Sequence, residues 1–131
     1  MLVTKLLIAG FLIAHGLLHP AVWAMPKSSG TQPFDPSYSW LLDALGVGAE
    51  AARSLSIVLA IAAAAGFVAA GIALFVGSEW WRVLAIVAAA ESLPLFLLFF
   101  NPWFTVGVAI QLGILYALVI THWPAKSVVG A

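Results

Sequence analysis

His15, His19, Glu91 and Gln111 each fall inside an apolar run long enough to cross a bilayer. Hydrocarbon holds no water to solvate such groups, so polar side chains at that depth tend to mark function. With a rise of 1.5 Å per residue, His15 sits within roughly 3 Å of its run's midpoint, and Glu91 and Gln111 within about 2 Å. His19 lies about one turn away, and positions i and i+4 share a helical face, so the two histidines act together. Three separate polar groups facing lipid would cost several kcal/mol each. Convergence of His15, His19, Glu91 and Gln111 on one midplane cluster is therefore the expectation.

That cluster admits several chemistries. A neutral histidine can hydrogen-bond to Glu91 or Gln111 and simply hold helices in register. A buried carboxyl beside imidazoles can exchange a proton or take up a small cation. Two histidines and a carboxylate are also the donor types that zinc or non-haem iron uses, which makes His15, His19 and Glu91 a possible metal set. The HxxxH spacing alone is common, and no HExxH or ExxH pattern accompanies it, so no metal is assigned. Haem would have to use His15 or His19 without His122, which belongs to the opposite end of the spans. A lipophilic ligand anchored between helices is a further option, and a small isomerase using Glu91 and a histidine as a proton shuttle another. No cofactor is specified.

Prolines lie beside two of these groups. Pro20 cannot donate to the Gly16 carbonyl, nor Pro94 to that of Ala90. Each leaves a spare acceptor next to a polar side chain.

The elements that must position these residues follow from composition. In 131 residues the hydrophobic fraction is 64% and the charged fraction 8%, against about 25% charged in soluble chains. Too few polar residues exist to cover a soluble fold, so lipid is the outer solvent. The length fits a single transmembrane domain, residues 1–131. Net charge is zero and basic runs are lacking, which argues against a nucleic-acid partner. The absence of cysteine removes thiolate and iron–sulfur chemistry.

Four spans are predicted, at about 3–23, 54–76, 82–100 and 103–122. Each is close to the ~20 residues that cross ~30 Å of hydrocarbon as a helix. Lys5 and the following apolar run resemble a secretory signal, but the run is too long for one and contains two histidines. It reads as a retained span. Gly77-Ser78-Glu79 and Asn101-Pro102 mark short connections, which force antiparallel neighbours. The fold class is thus all-α: an integral membrane four-helix up-and-down bundle with a long outer loop, about 24–53. Within that loop Asp35-Pro36 looks like a helix start, opening a short interfacial helix over Tyr38 to Leu45 that can act as a lid.

Ala62, Gly66 and Ala70 in span two suit close helix packing inside the bundle, in preference to a dimer face. Trp23 and Trp103 at one end and Trp80, Trp81 and Trp123 at the other fit two headgroup belts. Lys5, Arg82 and Lys126 outnumber Lys27 and Arg53 by one residue, which places both termini in the cytoplasm.

The order of Ala14-His15-Gly16-Leu17-Leu18-His19 in span one, the PFDPSYSWLL segment from Pro33 to Leu42, and three further spans resembles small bacterial four-span membrane proteins, loosely the DoxX-like group. That resemblance implies an inner-membrane accessory of a redox or transport system, with quinone-linked chemistry. The chain departs from the group at His19, where a lysine is usual, and in a second span with no acidic residue. The functional expectation is a cluster that binds a proton, cation or lipophilic ligand. The alternative is a structural subunit, as a homo-oligomer or within a larger membrane complex.

Overall fold

A computed structural model describes residues 1–23 and 34–130. Four of its helices are long and apolar enough to cross a membrane. Helix α1 spans Leu2–Trp23, α2 Trp40–Ala44, α3 Ala49–Phe75 and α4 Trp81–Leu98. The fourth long helix begins with a 3-10 turn, Pro102–Phe104, continues as α5, Thr105–Leu115, and ends in a π-helical turn, Tyr116–Ile120; α6 is Lys126–Val129. No strand occurs among the described residues.

The predicted spans agree with these helices within about two residues at most ends. The exception is α3, which starts five residues early, at Ala49. Its first turn, Ala49–Arg53, is polar enough to fall outside an apolar window yet favours helix, with Glu50 placed where the positive end of the helix dipole suits it.

Glycine sets how closely the helices approach. A Cβ on Gly71 would lie 2.8 Å from the Ala9 carbonyl oxygen, and one on Gly16 would lie 2.7 Å from Phe67 Cβ. Those two positions seat α1 against α3. Gly66 faces Ala88 of α4 in the same way, and Gly107 of α5 faces the Phe96 ring. Of the predicted small-residue row, Gly66 and Ala70 pack inside the chain, whereas Ala62 is exposed.

Backbone packing thus runs from α1 to α3, from α3 to α4 and from α4 to α5. Between α1 and α5 the backbones make little approach. Side chains bridge that seam.

The two ends of the helices differ. At one end the start of α1, the α3–α4 turn and the residues that follow the π-helical turn come together. Lys5 Nζ lies 3.6 Å from the position a Cβ on Gly77 would take, Arg82 donates to the Pro124 carbonyl, and Lys126 pairs with Glu79. This is called the terminal end below. At the other, the loop end, α2 docks on the end of α4. The last carbonyls of a helix lack intrahelical partners. Here the Ser39 hydroxyl donates to Leu98 O (2.6 Å) and the Trp40 indole N–H to Leu97 O (2.7 Å).

The cap of α2 differs from expectation. Ser39, not Asp35, accepts the Leu42 N–H. Asp35 instead accepts from the Ser37 amide and hydroxyl in a local turn, a geometry short acidic side chains favour. The helix is consequently shorter than predicted. The first part of the expected outer loop, residues 24–33, lies outside the described residues.

Two tryptophans leave their predicted belts. Trp80, Trp103 and Trp123 are exposed, but Trp23 and Trp81 are each only 1% exposed and pack into the interior. The structure places both against the α1/α5 seam.

Candidate functional site at the α1/α5 seam

Helix α1 buries one stripe, Leu12, His15, Gly16, His19 and Trp23. The spacing of three and four residues puts all of them on a single face. Gly16 lets that face press onto α3, which leaves His15 edge-on to Phe67, ring centroids 4.9 Å apart.

His19 Nδ1 lies 3.1 Å from the His15 carbonyl oxygen, with the Gly16 carbonyl also in reach. Pro20 is what leaves the Gly16 carbonyl without its helical donor. A carbonyl only accepts, so His19 carries its proton on Nδ1 and offers Nε2 as a lone pair.

From the other side of the seam comes Gln111, fully buried on α5. Its amide nitrogen lies 2.9 Å from His15 Nε2 and 3.3 Å from His19 Nε2. An NH₂ group has two hydrogens, one for each imidazole, and the pattern fixes both rings as neutral acceptors at Nε2. The amide cannot be reversed, because its oxygen would then face the His19 lone pair. Gln111 Oε1 is left buried with no hydrogen-bond partner.

His15, His19 and Gln111 therefore meet as expected. Glu91 does not join them. Both its carboxylate oxygens are buried and lack a hydrogen-bond partner, and its helix faces α3 and α5 rather than α1. Equal depth brought it to the right level, while helical phase and neighbour order kept it apart. Among the described residues no three His, Cys, Asp or Glu side chains form a metal-sized group, so the His15, His19, Glu91 ligand set is not assembled.

Other polar residues have local roles. The Ser92 hydroxyl donates to Ala88 O, one turn earlier (2.7 Å). Thr105 bonds to Pro102 O and is exposed, so it caps a turn and adds nothing to the core. Tyr116 and His122 are exposed.

Toward the loop end the seam opens into a groove of about 490 Å³, within the usual range for small-molecule sites. His15 and His19 line its deep end, and Trp23, Phe34, Phe96 and Phe104 its wall. Leu18, Trp103 and Val106 line it too and are exposed, so it opens toward the outside of the helices. The wall is one aromatic cluster: Trp23 stacks on Phe104 at 4.6 Å, and Phe34 meets both rings at about 5 Å. Phe34 brings the outer segment over this end. Trp23 Nε1, in that wall, is buried without an acceptor.

Sequence reasoning missed this wall. The usable signal was Trp23 itself, four residues after His19 on the face that already carries both histidines.

Compared with protein-family models, curated proteins and solved structures, the chain gives no match.

Proposed function

We propose that this chain is a multi-pass protein of the bacterial inner membrane that binds a lipophilic molecule with a hydrogen-bond-accepting oxygen in its head group. The molecule enters sideways from the bilayer into the groove between α1 and α5. An up-and-down bundle with both termini in the cytoplasm is part of this reading. So is a role as accessory to a membrane redox or transport system, in line with the DoxX-like resemblance and a quinone-type ligand.

One observation carries the proposal: an apolar groove open toward lipid has in its wall a buried indole N–H with no acceptor. A buried donor left unpaired costs about 1–3 kcal/mol, and a ligand oxygen would remove that cost once the Trp23 ring turned its N–H, now closed to solvent, into the groove.

A second reading has its own support. Gln111 spends both amide hydrogens on the two histidines, which is what a staple between the first and last crossings would do. The two readings separate in one experiment. A short-tailed ubiquinone and an alkane of matched length are titrated calorimetrically into the purified protein in detergent. The binding reading expects the quinone alone to bind, with affinity falling about fivefold in Trp23→Phe, the equivalent of one net hydrogen bond of ~1 kcal/mol. Equal binding of quinone and alkane, or an unchanged affinity in Trp23→Phe, refutes it and leaves the staple.

A further inference from the structure

A second groove, of about 260 Å³, lies in the other half of the α1/α5 seam, toward the terminal end. It is distinct from the histidine groove and shares none of its lining residues. Leu7, Phe11 and Trp123 line it and are exposed, so it too opens toward lipid. Its inner wall includes Trp81, almost fully buried, whose Nε1 has no acceptor.

Unlike the histidine groove, this one has a cation at its lip. The Arg82 guanidinium sits 4.9 Å from the centroid of the Trp81 ring and donates to the carbonyl of Pro124. Trp81 and Pro124 are both groove residues. Arg82 makes no ion pair among the described residues; the carboxylate at this end, Glu79, is held by Lys126. A guanidinium has five N–H donors in a planar fork that matches phosphate, and only one acceptor, Pro124, is in place for them. Lys5 stands at the same end, beside Gly77.

We infer that this groove holds one chain of an anionic phospholipid, whose phosphate is taken by Arg82 beside the Trp81 wall. The order of the two features is that of the lipid itself: apolar surface lies toward mid-membrane, and a cation with most of its N–H donors still open lies at the lip. Charge complementarity selects an anionic head group over a zwitterionic one. A basic residue at the membrane surface is worth ~1 kcal/mol toward anionic lipid, or about fivefold in affinity. The inference does not rest on the proposed ligand of the histidine groove.

The test uses the full chain reconstituted in phosphatidylcholine vesicles doped with a phospholipid whose acyl chains are brominated, which quenches nearby tryptophan. Brominated phosphatidylglycerol is expected to quench at about fivefold lower mole fraction than brominated phosphatidylcholine. Trp81→Phe should remove that preferential component of the quenching. Arg82→Gln should abolish the preference, and Arg82→Lys should restore most of it. Should Arg82→Gln fail to fold, raising the salt concentration on the wild-type protein gives the same reading, because the preference must shrink with screening. Equal quenching by the two lipids overturns the inference, as does a preference that survives Arg82→Gln or is indifferent to salt. Failure here leaves quinone binding at Trp23 untouched, since that is read by calorimetry on the other groove.

Discussion

Gln111 is the residue whose replacement speaks most directly to the seam. Gln111→Leu keeps the volume and removes both N–H donors, at 2.9 Å to His15 and 3.3 Å to His19. Interhelical hydrogen bonds in membranes average about 0.6 kcal/mol and reach about 1.7. The shorter bond belongs in the upper half of that range and the longer one near or below the mean, so roughly 1–2 kcal/mol is lost. An opposing change comes from the buried, unpartnered Oε1, whose removal relieves a penalty of about 1–3 kcal/mol. The single substitution is thus expected to change stability little. The bonds become visible in double-mutant cycles, which isolate pair energies from such single-site offsets. Pairing Gln111→Leu with His15→Leu should give a coupling of about 1 kcal/mol. With His19→Leu the coupling should be about half as large. Reversible unfolding in mixed micelles of rising SDS content supplies the four stabilities for each cycle. Zero coupling for both pairs, or a larger value for His19, would refute this account of the seam.

Three further outcomes are expected. Gly71→Ala should destabilise by about 1–3 kcal/mol in the same unfolding assay, because its Cβ would meet a backbone oxygen at 2.8 Å. Gly113→Ala, with nothing within 4 Å, should be tolerated; equal effects would contradict the α1–α3 contact. Glu91→Leu should stabilise the protein by about 1 kcal/mol or more, since it deletes a buried carboxyl with no partner, and a clear loss of stability would show that Glu91 does bond. At the terminal end, Lys126 holds the exposed Glu79 carboxyl below its ordinary 4.5. A depressed carboxyl stabilises the fold above its unfolded value and stops doing so as pH falls through its folded value. Any stability difference between wild type and Lys126→Gln should therefore vanish in acid below 4.5, and a difference that grows there would count against the pair.

The four long helices were readable because each is one long apolar run, and such a run shows whatever the helices touch. Depth was readable for the same reason: His15, His19 and Gln111 sit at compatible levels and meet. Direction was harder. Glu91 shares that level, yet whether it joined depended on which helices adjoin α4, which no periodicity within α4 encodes. Trp23 and Trp81 illustrate a different limit. A tryptophan near a span end suits a headgroup belt on general grounds, and only the aromatic neighbours Phe34, Phe96 and Phe104, from distant parts of the chain, turned Trp23 inward. The cap of α2 turned on a choice between Asp35 and Ser39, both good caps, settled by the free carbonyls at the end of α4 that Ser39 and Trp40 reach.

Because side chains 96 positions apart bridge the seam, it cannot close before α5 has been made. A chain stopped short of Gln111 therefore leaves the Nε2 atoms of both imidazoles without the amide that joins them.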